Sequence, residues 1–389
     1  MHRRICFLLI FFIGFSNLVA AENIFLKQFN EIQTFTKPDW LEPGLRVTYE
    51  VSSFLIDLDN YSPDLLTGHM SVSEEMLHNF EYLIMQYDLC AQINDIFFNN
   101  ITTYFSDQNG DLSPSNVYAV DDLVAAGKFW LAPEVINYLE NTATEANILR
   151  TTATLGEEDI PVILIIYEYP TRDLFYILEA ETGLVLRFAE AIVQQDNKTV
   201  LLRTENILGL RKKYVPWTMF TSPLNTNDFF NYKGKAVLIK DDIVVSTSDY
   251  GLSLKVIAKE DNYVIYEKKL YYNELADEPV QIIDSSQNQG QNYWLPPEFL
   301  SSLKKDQVID TDPITGEVVH ISDIGLLSDT ELETVIIETY GNAYSNTTAY
   351  DLKTGQAVYF QNERKTNASL IVENALLNEF DLSDSDTEH

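Results

Sequence analysis

The sequence predicts an α+β to mainly β chain made of two tandem, homologous strand-rich domains, each with one or two short helices. Three observations predict it: a motif that recurs once at long range, glycine-bearing hairpin turns, and runs of β-branched and aromatic residues.

The recurrence organises the chain. Phe129-Trp130-Leu131-Ala132-Pro133-Glu134 returns as Tyr293-Trp294-Leu295-Pro296-Pro297-Glu298. Four identities at matched spacing, one of them tryptophan in a chain with 4, point to a copied segment. The surroundings follow. Ile96 to Phe105 matches Tyr263 to Tyr272 in residue type, and Glu181-Thr182-Gly183-Leu184-Val185 matches Lys353-Thr354-Gly355-Gln356-Ala357. Trp40 and Trp217 stand near the opening of each copy, and Cys90 falls against Ser253. The expected organisation is a signal peptide at 1–21, a lead-in at 22–40, a β-rich unit at 41–209 and a basic linker at 210–213. A second β-rich unit at 214–378 and an acidic disordered tail at 379–389 complete it. Each unit has the size of an independent domain.

Taken in order, residues 74–86 read as a helix, because Leu77, Phe80, Ile84 and Tyr87 recur at helical spacing, with strands from Leu89 onward. Tyr263-Val264-Ile265-Tyr266 prefers a strand. Hairpin turns are expected at Ala180-Glu181-Thr182-Gly183, Pro313-Ile314-Thr315-Gly316 and Leu352-Lys353-Thr354-Gly355, where glycine supplies the positive φ. Pro133 and Pro297 fix φ at the first position of a short helix, and Glu134 or Glu298 sits where the helix dipole favours an anion. Val135, Ile136 and Leu139 then form a buried stripe in one copy, Phe299, Leu300 and Leu303 in the other. Trp130 and Trp294 are expected to pack in the core; exposed, they could serve as sugar-binding platforms.

The first residues, Met1 to Arg4, are a positive stub before the apolar run Ile5 to Phe15 and the small residues that end at Ala21. That is the form of a secretory signal, and the run is shorter than the ~20 residues a bilayer span needs. Export to a periplasm or the outside is expected, with no membrane span after cleavage. Cleavage would leave Cys90 alone, so no intramolecular disulfide framework is expected. Five glycosylation sequons, at Asn60, Asn100, Asn197, Asn346 and Asn367, matter only in a eukaryotic secretory route.

With 59 acids against 26 Lys and Arg, the formal charge is −33, which argues against nucleic acid or an anionic membrane as partner. The first unit is the more acidic, with 27 acids and 7 bases against 24 and 12 in the second. A 46% hydrophobic chain is too apolar to be an acidic disordered solvator. Arg211-Lys212-Lys213 is expected to be a solvated linker, the alternative being a basic docking patch.

Candidate chemistry is sparse. Asp107-Gln108-Asn109-Gly110-Asp111 begins like a calcium loop, but Leu112 and Tyr118 stand where glycine and glutamate belong, so an exposed turn is expected. Asp310-Thr311-Asp312-Pro313 reads as a turn as well. Glu75 and His78, with His69 and Glu74 nearby, would share a helix face without further metal ligands. His320 reads as a packed or edge histidine in a strand, and Cys90 as a buried inert thiol. No catalytic, metal or cofactor-binding residue is assigned, and no cofactor is implied. The expected function is non-enzymatic binding or scaffolding toward a protein, glycan or hydrophobic ligand. The alternatives are a carrier that holds a hydrophobic ligand in curved-sheet cavities and a carboxylate-dependent hydrolase.

Overall fold

The computed structural model describes residues 37–62, 78–93, 96–106, 112–122, 129–142, 146–155, 158–194, 198–213, 222–260, 263–273, 275–285, 292–328, 330–366 and 369–381. The expected signal peptide and lead-in as far as residue 36, His69, Glu74, Glu75, the 107–111 turn, Trp217, Asn197, Asn367 and the tail beyond 381 lie outside these residues.

Strands dominate, in two antiparallel sheets, so the chain is mainly β. In the first sheet, β1 (Leu45–Asp57), β2 (His78–Ile93), β3 (Ile96–Ser106) and β4 (Leu112–Asp122) form a meander. After helix α1 (Pro133–Thr142) a second meander follows: β5 (Ala146–Leu155), β6 (Glu158–Tyr169), β7 (Arg172–Glu179), β8 (Val185–Val193) and β9 (Thr199–Lys212). Pairing of β9 with β1 joins the two meanders.

The second sheet repeats that path. It runs through β10 (Phe229–Lys240), β11 (Ile243–Glu260), β12 (Tyr263–Tyr272) and β13 (Leu275–Ala276), with β14 (Val280–Ser285) also on β12. Helix α2 (Pro297–Leu300) precedes β15 (Val308–Thr311), β16 (Val318–Leu326), β17 (Glu333–Tyr340), β18 (Tyr344–Asp351), β19 (Ala357–Thr366) and β20 (Ser369–Asp381). Here β20 pairs with β10.

Irregularities match as well as strand order. Leu89 pairs with Asn99 and Ala91 with Phe98, so β2 bulges at Cys90. Val256 pairs with Tyr266 and Ala258 with Ile265, so β11 bulges at Ile257. Counting from these bulges, Ile257 holds the place of Cys90, whereas Ser253 holds that of Gln86. The sequence-based match of Cys90 to Ser253 is therefore four residues out of register.

Each sheet packs one face against its own helix and keeps a separate core there. Val135, Ile136 and Leu139 of α1 are buried in the first, as the spacing predicts; in the second Leu300 and Leu303 are buried, but Phe299, expected with them, is only partly buried. The docking device is the same in both. Trp130 Nε1 donates to the Thr182 carbonyl at 2.7 Å and Trp294 Nε1 to the Thr354 carbonyl at 2.9 Å. Leu131 N–H donates to Gly183 O, Leu295 N–H to Gly355 O, and both glycines have positive φ. The hydroxyl of Tyr49 reaches Val185 O at 2.6 Å, and that of Tyr232 reaches Ala357 O at 2.9 Å. Core packing of both tryptophans and all three expected hairpin turns are thus present.

One element differs. No helix covers 78–86, because β2 begins at His78 and pairs with β1 through Leu83, Met85 and Tyr87. Leu83, Met85, Tyr87 and Leu89 line the helix-side core, while Ile84 and Cys90 are buried on the opposite face. A strand covered on both faces loses its two-residue hydropathy rhythm, and what remained resembled a helical period. Boundaries shift too: β9 runs to Lys212 and β20 to Asp381, past the expected unit ends at 209 and 378.

Candidate functional site

The two sheets meet by the faces turned away from their helices. Two apolar patches lie there: Cys90, Ala91 and Phe98 against Tyr263, Ile265 and Ile283, and Ile84, Tyr104 and Leu112 against Tyr344 and Ile314. Between them sits the most densely charged cluster of the described residues.

Its centre is Arg46 on β1. The guanidinium grips Asp88 of β2 with two nitrogens, at 2.6 and 2.7 Å, and donates a third bond to Asp312 at 2.9 Å. Asp312 belongs to the other sheet, in the turn between β15 and β16. Arg211 on β9 holds both Asp310 and Asp312 at 3.0 Å. Lys213 Nζ lies 3.1 Å from Asp88. Gln86 donates to Asp312, and Tyr104 and Tyr344 both donate to Glu317. Arg46, Asp88, Asp312 and Lys213 are each more than nine-tenths buried. Three cations and Asp88 of the first sheet therefore face three carboxylates, Asp310, Asp312 and Glu317, across the sheet boundary, and we call the cluster the clasp.

The same turn chemistry builds it. In Asp351-Leu352-Lys353-Thr354-Gly355 and Glu179-Ala180-Glu181-Thr182-Gly183, the leading carboxylate accepts from the threonine N–H and the turn then docks on a tryptophan. Asp312-Pro313-Ile314-Thr315-Gly316 is a third turn of this kind, its Asp312 Oδ1 accepting from Ile314 and Thr315 N–H at 2.9 and 3.0 Å. That leaves Oδ2 for Arg46, Arg211 and Gln86 on the other sheet.

Burial alone would raise the Asp88 carboxyl, but the charges of Arg46 and Lys213 and their hydrogen bonds overcome it and hold it at about 2. Asp312, opposed by burial in the same way, is held well below the usual carboxylate range by the Thr315 N–H and by Arg46. Such acids contribute stability above their unfolded-state range, and that stability is lost only as pH falls through the low folded values. Asp88 and Asp312 therefore keep their charge well below the pH at which free carboxylates are protonated.

A second perturbed acid has the opposite character. Asp284 on β14 accepts from Tyr293 N–H at 2.6 Å, Trp294 N–H at 3.1 Å and Tyr266 hydroxyl at 3.1 Å, all at one oxygen. Its other oxygen is buried with no partner among the described residues. Burial raises this carboxyl to about 8 against the pull of those bonds, so it is neutral at pH 7. A raised acid costs stability as pH climbs from the unfolded value to the folded one. Unfolding free energy is expected to fall by up to about 1.4 kcal/mol per unit between pH 4 and 8 from this group. Asp284→Asn should flatten that slope in urea titrations at several pH values, and an unchanged slope would refute the assignment.

Charged groups also lie on the helix-side faces. In the first sheet Glu190 pairs with Arg172, and Glu205 with Arg203 at 2.8 Å. In the second, Lys268 lies 5.8 Å from the ring centre of Tyr293, and burial lowers its ammonium.

The residues singled out in the sequence are distributed as follows. Cys90 is buried and outside any disulfide, its thiol pushed up to about 12 by burial, as an inert thiol should be. His320 is half-buried on β16, 3.0 Å from Glu338 on the neighbouring strand and edge-on to Tyr340. His78 opens a strand, so the helix face it was to share with Glu75 does not form there. Among the sequons, Asn60 is exposed and Asn100 buried. The Arg211-Lys212-Lys213 run is not a solvated linker: only Lys212 is exposed, beside Glu42, while Arg211 and Lys213 belong to the clasp. The physical reason is the acidic turn at 310–312, which supplies the counter-charges that make burial tolerable.

No family model matches this chain. No curated protein matches it either. Among solved structures, two of PNGF-II, in space groups C2 and P21, align over 86% of this chain at 8% identity and a TM-score of 0.17. The chain spans 64% and 66% of their length, under two thirds. Likeness at that level carries no argument.

Proposed function

We propose that the chain is an exported, non-enzymatic scaffold or binding protein made of two copies of one β-rich unit, the first closing with β9 and the second with β20, held in a fixed mutual orientation. The clasp carries this reading. Its charges are taken up by each other across the two sheets, which is the arrangement expected of groups that fix geometry, because an ion pair in the wrong register would leave charges buried and alone. Shared strand order, matched bulges and the doubled tryptophan device support descent from a duplication. The amino-terminal pattern supports export, and no helix of the described residues is long and apolar enough to cross a membrane.

Small-angle scattering tests the fixed orientation. Salt screens exposed charge but reaches buried pairs poorly. One scattering profile is expected from about 0.05 to 1 M NaCl, and a profile that expands with salt would count against a rigid scaffold.

A further inference from the structure

The second sheet has a face equivalent to the one that receives the clasp turn, and no turn of that kind covers it among the described residues. Counting from the matched bulges, the places of Arg46, Gln86 and Asp88 are held by Phe229, Ser253 and Lys255, and that of Tyr104 by Tyr271. The tyrosine contact is kept: Tyr271 Oη lies 3.2 Å from Ser253 Oγ, where Tyr104 Oη lies 3.1 Å from Gln86 Oε1. Pairing registers put Lys233, Lys255 and Lys269 on this face with Tyr271. Lys233 and Lys255 are exposed, and neither forms an ion pair among the described residues. Lys269 stands 3.7 Å from Glu267, both 39% exposed. Along β12 the same face continues into Tyr263 and Ile265, which meet the first sheet. The same registers place Glu267 opposite Lys255 and Glu379 of β20 opposite Asn231 on this face, so Lys233 and Lys255 are the lysines that stand there outside an ion pair among the described residues, in a chain of net charge −33.

We propose that this face of β10, β11 and β12 is a docking surface for an acidic turn of a partner protein, with the chemistry that Asp310 and Asp312 offer the first sheet. The lysines supply the charge complement, and Tyr271 the platform beside it. A second copy of this chain is the poorer occupant, because its own 310–317 turn is already held by Arg46 and Arg211. The inference rests on reading the two units as copies.

The probe is a cyclised peptide of residues 308–319, titrated into the full-length protein and followed by fluorescence anisotropy. Saturable binding is expected, weakened at least about tenfold by the triple change Lys233→Glu, Lys255→Glu and Lys269→Glu and by added salt. The milder Lys→Gln triple variant should weaken binding less but measurably, and a peptide with both aspartates changed to asparagine should not bind. Absence of saturable binding, or equal binding to the lysine variants, overturns the proposal. So does lysine-dependent self-association of the free protein, which would make a second copy the occupant. Scattering from the same samples separates the two claims: failed binding with an unchanged profile removes the docking surface and leaves the rigid scaffold standing.

Discussion

Arg46→Ala is expected to lower the unfolding free energy by about 3 kcal/mol, the lower end of the cost of stripping one partner from a buried ionic network. The lower end applies because Asp88 keeps Lys213 and Asp312 keeps Arg211. What is lost is the group that bonds to both at once, while Arg211, Gln86 and Tyr104 still reach across to the second sheet. Lys212→Ala is the control. Lys212 adjoins the clasp in sequence, but its partner Glu42 and itself are 47% and 63% exposed, and a surface pair is worth about 0–1 kcal/mol. Urea unfolding of the two variants side by side measures the contrast, and equal losses would mean that the clasp is ornamental.

Gly355→Ala should cost about 3 kcal/mol or more, with Gly183→Ala behaving alike. Both glycines have φ near +77°, which costs an L side chain about 1–2 kcal/mol. In addition, a Cβ at either position would stand 2.0 Å from a backbone carbonyl, Leu295 O or Leu131 O. The turn must retreat, loosening the bond from Trp294 or Trp130 Nε1 and the backbone bond beside it, each worth about 1 kcal/mol. Gly316→Ala separates the two contributions. Its φ is 71°, but nothing lies within 4 Å of the added Cβ, so only the backbone cost of about 1–2 kcal/mol should appear. If all three variants lost the same stability, the docking of turns on tryptophans would not be what the glycines serve.

These residues also show what a sequence can reveal. The Trp-Leu-x-Pro-Glu segment and the Thr-Gly turns were legible because proline, glycine and tryptophan act through their own covalent geometry, within a few residues. The pairing of the two devices was not, since Trp130 and Gly183 are 53 positions apart in the chain. The β2 strand was misread because the neighbouring sheet covers its second face, and that neighbour is invisible from local hydropathy. The clasp was least legible of all. Arg46 and Asp312 are separated by 266 positions, and the turn that carries Asp312 was recognised without its destination. Arg211 and Lys213 looked solvated for the same reason: a charge run reveals its burial only when its counter-charges are placed.

The fixed orientation of the two sheets can be read directly as a distance. Nitroxide labels at Leu149 on β5 and Leu326 on β16, both exposed, report across the clasp by pulsed electron spin resonance. The wild type should give one narrow distance at pH 7 and again at pH 4, because Asp88 and Asp312 remain ionised at both. Asp312→Ala should broaden it. A broad distribution in the wild type, or an unchanged narrow one in the variant, would contradict the clasp as the element that fixes the two units.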